Sequence, residues 1–344
     1  MNDDALPSNR EIAELLTAAA EHADTDQRRR ALRRAGRAAF MWTVEARDLH
    51  LRGEPLTALP RVGPWIAARI LEFAGTAPVD PPPIRAGFLA WAEAHAAASS
   101  FAAAVLGDLQ AHTVWSDGHS TTAEMVDAAS VRGYRYLLIT DHSQGLTIAG
   151  GLTPERFLEQ WREFAMLDGQ HALRLLRGIE MNVDTDGEGD MPAETLARFE
   201  VILGAFHSAL RRTEDQTERY LAALRNPFVD VLAHPRGRMY GRRIGLHADW
   251  PRVFAEAVRL DKAIEVDGYP DRQDVDGELL RLAADAGARI SLGSDAHHVV
   301  DLEFMTFSEG AVALARVPPD RVINCMPAED LVAWAAQHRS HSVR

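Results

Sequence analysis

The chain holds one cysteine, Cys325, and one lysine, Lys262, in 344 residues. A single cysteine closes no disulfide within the chain and builds no thiolate zinc cluster, so any metal must rest on imidazole and carboxylate groups. No apolar run approaches the roughly 20 residues that a membrane span requires. The opening MNDDALPSNREIAELL has neither the basic nor the apolar segment of a secretory leader. We therefore expect a cytoplasmic protein with no membrane partner. Positive charge is also scarce, since 37 Lys+Arg against 50 Asp+Glu leave a net −13. That argues against a nonspecific nucleic-acid coat, because phosphate binding needs positive potential where contact is made. A local basic face stays open. Arginines cluster at Arg28, Arg29, Arg30, Arg33, Arg34 and Arg37, and again at Arg236, Arg238, Arg242 and Arg243. For the first cluster, a charged helix face answered by Asp24, Asp26 and Glu45 is at least as good a reading as DNA binding.

Hydrophobic residues make up 47% of the chain and charged residues 25%, which excludes a mainly disordered protein. The length suits one large domain and a smaller one. From about 8 to 75, apolar positions such as Ile12, Leu15, Leu16 and Ala19 recur at helical spacing, which predicts an all-α segment. It ends in Thr76-Ala77-Pro78-Val79-Asp80-Pro81-Pro82-Pro83, where consecutive prolines remove backbone donors and force the extended path of a linker. A further helix is predicted over about 84–98. The expected boundaries are 1–97 for the helical domain and 98–344 for the second.

In that second region short β-rich runs alternate with amphipathic helices. The runs are VLGDLQ (105–110), YLLIT (136–140), RLLRGIEM (174–181), EVILGAF (200–206), VDVLAH (229–234), KAIEVDG (262–268) and ARISLGSD (288–295). Helical stretches lie at about 122–132, 153–168, 214–225, 249–260 and 276–286. Seven strand-then-helix units fit either a parallel α/β barrel or an open doubly wound sheet. The barrel is the favoured reading.

Six of the runs end in residues suited to metal binding. Asp108 and His112 lie at the first, Asp141-His142 follow the second, Glu180 lies in the third and His207 follows the fourth. His234 closes the fifth, and Asp295 with His297 closes the seventh. In a parallel barrel all C-terminal strand ends open onto one face, so these residues converge. A lone His at a strand end is more often a hydrogen-bonded core or loop residue, but this joint pattern argues for a metal centre. Imidazole and carboxylate donors suit Zn²⁺, Mn²⁺ or Fe²⁺, and a bridging carboxylate such as Glu180 can hold two ions. His22, His50, His95, His171, His247, His338 and His341 fall outside the pattern and are assigned to surface or packing. His119 and His298 are its close neighbours.

Gly107-Asp108-Leu109-Gln110-Ala111-His112-Thr113, Ser116-Asp117-Gly118, Thr140-Asp141-His142-Ser143, Gly178-Ile179-Glu180, Phe206-His207-Ser208, Ala233-His234-Pro235 and Gly293-Ser294-Asp295-Ala296-His297 resemble the ordered motifs of the PHP (polymerase and histidinol phosphatase) superfamily. The resemblance covers about residues 105–310. It implies a distorted (β/α)₇ barrel and three divalent ions. Glu180 would bridge two of them, with His207 and His234 on one, His112 and Asp295 on a second, and Asp117, His142 and His297 on the third. One position departs from the pattern: the superfamily's first motif commonly reads His-x-His, and here Gln110 takes its first place. A neutral amide is a poor ligand for these ions, so one subsite is expected to be weaker; Asp108 and Gln110 are candidate ligands or supports of that subsite, and whether Asp108 compensates is left open.

Within the superfamily, Gly-Asp-Leu-Gln-x-His, Trp115-Ser116-Asp117-Gly118 and Arg272-x-Asp274 are most similar to the C-terminal PHP region of bacterial family X DNA polymerases. Leu59-Pro60-Arg61-Val62-Gly63-Pro64-Trp65-Ile66-Ala67-Ala68-Arg69-Ile70 resembles a helix-hairpin-helix, about 55–75, whose turn aims N–H groups at a DNA phosphate. Arg61, Val62, Gly63 and Arg69 are its candidate DNA contacts, and Arg61 stands where the hairpin usually has its first glycine. Only about 30 residues join hairpin and barrel, too few for a polymerase palm. The resemblance therefore implies a metal-dependent phosphoesterase of DNA ends, a 3′–5′ exonuclease or 3′-phosphatase of repair type. Two alternatives stand beside it: a small-molecule phosphomonoesterase of histidinol-phosphatase type, and a nonenzymatic DNA-binding protein with a degenerate barrel. Arg236 and Arg242, in the loop after His234, and Arg272 are the candidate phosphate clamps.

Overall fold

The computed structural model describes residues 5–77, 80–167 and 172–340. Two compact units make up the chain, Met1–Ala96 and Ala97–Arg344. Pro78 and Val79 of the expected linker, and His171 and His341, lie outside the described residues.

The first unit is helical: α1 (Asn9–Glu21), α2 (Asp26–Ala39), α3 (Ala46–Leu51) and α4 (Pro64–Leu71). A capping box starts α1, where the Ser8 hydroxyl accepts from the Glu11 N–H and the Glu11 carboxylate accepts from the Ser8 N–H. Its apolar stripe buries Ile12, Leu15, Leu16 and Ala20. Thr25 caps α2, which turns Leu32, Ala35 and Ala39 inward and leaves its arginines outward. Arg28 pairs with Asp24 at 2.7 Å and Arg29 with Asp26 at 2.5 Å, as a solvated charged face would. Glu45 does not answer that cluster. Its carboxylate accepts from the Asn9 N–H and lies 3.9 Å from Arg47.

A short 3-10 turn, Leu56–Ala58, precedes the hairpin loop, and Gly63 caps α4 with Pro64 in its first turn. Arg61 has φ 65°, the left-handed conformation that glycine adopts without steric cost. The loop thus keeps a glycine-like path while carrying an exposed guanidinium. The helix expected over 84–98 is shorter, α5 (Trp91–Ala98). Residues 81–90 instead run without a helix, burying Phe88 and Ala90, and the Trp91 N–H donates to Phe40 O at 2.6 Å.

The second unit has seven strands: β1 (Gly107–Ala111), β2 (Tyr136–Ile139), β3 (Arg174–Asn182), β4 (Val201–Ala205), β5 (Val231–Ala233), β6 (Ala263–Asp267) and β7 (Arg289–Gly293). They pair in chain order and every pair is parallel. The sheet closes where the Asp295 N–H donates to Gln110 O at 3.1 Å and the His112 N–H to Ala296 O at 2.8 Å. This is the (β/α)₇ barrel, and the open sheet is excluded.

Helices α6 (Thr122–Val131), α7 (Pro154–Leu167), α8 (Ala193–Leu196), α9 (Thr217–Arg225), α10 (Trp250–Arg259), α11 (Gly277–Asp285), α12 (Met305–Ala315) and α13 (Ala328–Ser340) complete the unit. Strands flanked on both faces read as continuous apolar runs, and β1, β2, β4, β5 and β6 are buried throughout. Buried Asp230 ties down α13, accepting from His338 at 2.7 Å and Arg339 at 2.9 Å. That gives His338 a packing role. Among the described residues, no helix is long and apolar enough to cross a membrane.

Candidate metal centre

Each strand delivers its polar residue at or just beyond its C-terminal end, where the apolar interior of the barrel stops and the mouth begins. Two of these residues sit in left-handed backbone, His234 at φ 25° and Asp295 at φ 53°. Such conformations cost of order 1–3 kcal/mol each and persist where the surroundings over-determine them. Here the His234 N–H donates to the Glu265 carboxylate at 2.6 Å, and the Asp295 N–H is held by Gln110 O.

The eight candidate side chains meet around Glu180. One of its carboxylate oxygens, Oε1, lies 2.8 Å from His234 Nε2 and 2.9 Å from His207 Nε2. The other, Oε2, lies 3.2 Å from His112 Nε2 and 3.5 Å from His142 Nδ1. His112 Nε2 also stands 3.1 Å from Asp295 Oδ1. Asp117 Oδ1 is 3.5 Å from both His142 and His297. Ring centroids of His112 lie 4.5 Å from those of His142 and His297. Donor atoms fall within 4.8 Å of one another in three overlapping groups: His112, Asp117, His142 and His297; His142, Glu180 and His207; and His112, Glu180 and Asp295. His112, His142 and Glu180 each belong to two of these groups.

These residues fit divalent cations. Although carboxylate oxygens stand close, both ring nitrogens of His112, Nε2 of His207 and Nδ1 of His142 are buried with no hydrogen-bond partner among the described residues. Their approach is close without the geometry of a hydrogen bond, the arrangement expected of donors turned toward a shared third partner. Electrostatics agree. Burial alone would push Glu180 and Asp295 up, but the imidazoles around Glu180 hold it well below the usual carboxylate range, and Arg272 and His112 hold Asp295 down. Burial presses His112 toward neutrality, and Asp295 and Glu180 outweigh it, raising its pKa. Metal binding would release any proton that His112 carries.

A second layer fixes the first. Asn182 Oδ1 stands 3.2 Å from His207 Nδ1, and the Asp295 carbonyl 2.7 Å from His297 Nδ1, the orienting contacts typical of ligating imidazoles. Asp141 points away from the cluster, accepting from the Thr113 N–H at 2.9 Å, the Thr113 hydroxyl at 2.7 Å and Gln160 at 2.6 Å. Asp108 likewise accepts from the Ser294 hydroxyl and from the N–H groups of Gln110 and Ser294. Asp108 therefore braces the β1–β7 seam. His119 reaches the site only by its main chain, donating to His297 O. His298 uses its ring to accept from the Val300 N–H.

Sequence reasoning passed over Glu265 and Asp267 and used Asp274 only as part of a motif; all three are fully buried carboxyls behind the ligand cluster whose pKa values burial raises. The signal was available, since Glu265 and Asp267 alternate in the otherwise apolar run of β6.

The arginines separate on inspection. Arg272 stands at the cluster, its Nε 3.3 Å from Asp295 Oδ2 and 3.8 Å from Asp267 Oδ2. Arg236 does not overhang as a free clamp: its guanidinium donates to Asp276 and to Ile244 O. Buried Arg238 joins it on Asp276 at 3.0 Å, so Asp276 gathers both. Arg242 is exposed, with a 3.9 Å contact to the Met239 sulfur. Arg243, named from sequence only as a member of the arginine cluster, is half-buried with an unpartnered Nε among the described residues. Burial, then repulsion from Arg272, lowers its pKa. In the helical unit Arg69 is taken up by Glu72 at 2.5 Å, and Val62, expected as a DNA contact, is buried with its N–H donating to Leu59 O at 3.2 Å, whereas Arg61 and Gly63 remain exposed at the loop.

No family model matches the chain. The "DNA polymerase/3'-5' exonuclease PolX" of Bacillus subtilis (strain 168) is 34% identical over 232 residues, which is 67% of this chain and 41% of that relative. The match thus spans less than half of the relative's length. A "Probable phosphatase" of Acetivibrio thermocellus is 30% identical over 202 residues, 55% of this chain and 78% of the relative. Among solved structures, a histidinol phosphate phosphatase from Lactococcus lactis, complexed with zinc, L-histidinol and phosphate, aligns with 59% of this chain and 93% of its own at 16% identity, with a TM-score of 0.42. The chain belongs to the PHP superfamily of metal-dependent phosphoesterases.

Proposed function

We propose that this protein hydrolyses phosphoesters at DNA ends, as a 3′–5′ exonuclease or 3′-phosphatase, on a centre of divalent ions held by His112, Asp117, His142, Glu180, His207, His234, Asp295 and His297. The observation that carries the reading is Glu180, whose two oxygens each face imidazoles from different strands, the arrangement of a carboxylate shared between ions. Bound ions would supply hydroxide at neutral pH and neutralise charge gathering on the phosphoryl oxygens.

The chain's own residues do the rest. Arg272, anchored by Asp295 and Asp267, directs a fixed positive charge at the mouth, and exposed Arg242 with half-buried Arg243 can take further phosphate oxygens. Asn182 and the Asp295 carbonyl hold the tautomers of His207 and His297 that leave Nε2 free to ligate. DNA enters the proposal through the helical unit, where the exposed Gly63 at the start of α4 and the Arg61 guanidinium offer a backbone N–H and charge to one phosphate. Exonuclease wording in the name of the Bacillus relative supports it. Between α4 and β1 the described residues hold only α5 and a short turn, so a palm-based polymerase reaction has no place here.

The names of the phosphatase relatives, one of which is matched over 78% of its length, favour a second reading, a phosphomonoesterase of small molecules. One assay separates the two: metal-loaded full-length protein against end-labelled DNA and a chromogenic phosphomonoester, with Arg61→Glu alongside. DNA-end activity that drops at least severalfold in Arg61→Glu, while chromogenic hydrolysis stays level, supports the DNA reading. Equal DNA cleavage by both proteins makes the small-molecule phosphatase the better one.

A further inference from the structure

We propose that Gln110 ligates a metal ion through its side-chain oxygen and is held in that role by Glu265, the amide and carboxylate together standing in for the missing imidazole. The assignment rests on the metal-centre reading above. Gln110 and Glu265 are both fully buried. In the structure Gln110 Nε2 donates to Glu180 Oε2 at 3.2 Å, which leaves Gln110 Oε1 without a partner among the described residues. Glu265 Oε1 is equally without one.

These two orphaned acceptors are neighbours. A Cβ placed on Gly293 would meet Glu265 Oε1 at 2.7 Å and Gln110 Oε1 at 3.1 Å, so both crowd the same point, which also explains why that position carries no side chain. With a cation bound and Glu265 ionised, two acceptors crowding this point would repel, and an amide's oxygen and nitrogen have nearly the same shape. A half-turn of the terminal amide exchanges them. Nε2 then meets Glu265 Oε1, donor to acceptor, and Oε1 turns to the side where His112 Nε2, Glu180 Oε2 and Asp295 Oδ1 already gather within 4.8 Å. Four electron-pair donors facing inward are reconciled by a cation between them. Asp108 is not an alternative fourth donor, being committed to Ser294 and the Gln110 N–H.

The chemistry adds a preference. An amide oxygen is a harder donor than imidazole, so this subsite should favour Mn²⁺ over Zn²⁺ relative to a His-x-His site. By accepting from the amide, Glu265 raises the oxygen's basicity, as carboxylates behind ligating imidazoles do.

The test is ion binding rather than turnover. Full-length protein stripped with chelator is titrated with Mn²⁺ or Zn²⁺ against a chelating dye, and bound ions are counted by mass spectrometry. Gln110→Leu, matched in size, should lose one ion while the others keep their affinity. Gln110→His should keep the count and shift that site toward Zn²⁺. Glu265→Gln retains an acceptor for the His234 N–H but sets amide against amide, and should weaken the same ion about 10–100-fold. A Gln110→Leu protein that binds as many ions as tightly as the unaltered chain overturns the assignment. Should the Leu variant not fold, as judged by its melting curve, unchanged Zn²⁺ affinity in Gln110→His overturns it instead. An unaltered chain that binds no ions would sink the metal-centre reading itself, a different and distinguishable failure.

Discussion

In the barrel, Glu180 is 1% exposed and lies within 3.5 Å of four imidazoles drawn from four strands. In the helical unit, the Arg28, Arg29 and Arg69 side chains are 38–52% exposed and pair with acids three or four residues away on the same stretch of chain. Both regions looked equally charge-rich in sequence. Water makes the difference. Exposed local pairs are worth roughly 0–1 kcal/mol and shift little, whereas desolvated charges interact strongly enough to move pKa values far from their ordinary ranges. A cluster of charged residues is informative about chemistry when the fold removes its solvent, and uninformative when a helix merely displays it.

Breaking the centre of the buried network should have the largest effect. Glu180→Ala removes a carboxylate whose two oxygens lie within 3.5 Å of four imidazoles. Since bound ions contribute several kcal/mol of charge stabilisation, we expect kcat on a chromogenic phosphoester to fall about a thousandfold or more. Single substitutions of His112, His142, His207 or His234 should each cost less. Equal losses across the set, measured with saturating metal, would remove the bridging role.

A second buried acid sharpens the comparison through pH. Glu309 on α12 is buried, and burial raises its pKa to about 7; nearby Asp108 adds to the rise, and Arg132 opposes it. Because the folded state then binds the proton more tightly than the unfolded chain, the protonated form's stabilising contribution is full below about 4.5 and lost as pH climbs through 7. Glu309→Gln should flatten that decline and leave the barrel more stable than the unaltered chain at pH 8, by on the order of 2 kcal/mol. Chemical denaturation at pH 5 and pH 8 checks it. A variant with the same pH dependence as the parent would show Glu309 to be ionised and solvated.

The smallest expected effect lies in the helical unit. Arg61→Gly relieves a left-handed backbone but gives the unfolded chain more freedom, so the net gain in stability should be about 0.5–1 kcal/mol or less. DNA affinity should fall at the same time, with its salt dependence shallower by about one phosphate contact. Unchanged DNA binding in this variant would reduce the loop to packing.

Much of the barrel was legible because strand-end His and acidic residues were read at six of the seven runs, and a parallel barrel has one face on which they can meet. The seven runs emerged as strands to within a few residues. Less legible was the fate of individual polar groups. Arg236 and Arg242 sit six residues apart in one loop, yet Asp276 from a distant helix start takes Arg236 and Arg238 and leaves Arg242 to solvent. Nothing local in the sequence distinguishes them. Residues 84–90 were expected to be helical, but 83–87 form a turn in which the Arg85 N–H donates to Pro82 O, and Phe88 and Ala90 are buried before the helix starts at Trp91.

By itself the sequence determined the periodicities, hence the strands, the helices and which residues stand at strand ends. It also fixed the donor chemistry, since one cysteine leaves imidazole and carboxylate to hold any ion. The tertiary structure alone decided which donors share a partner and which are spent on packing. Asp108 and Asp141 carry the same carboxylate as Asp117 and Asp295, and the fold turns the first two toward hydroxyl and N–H donors and the last two toward imidazoles. Periodicity is set by neighbours a few residues away along the chain. A buried polar group, by contrast, takes its role from whatever donor or acceptor the closed barrel brings within about 3 Å of it.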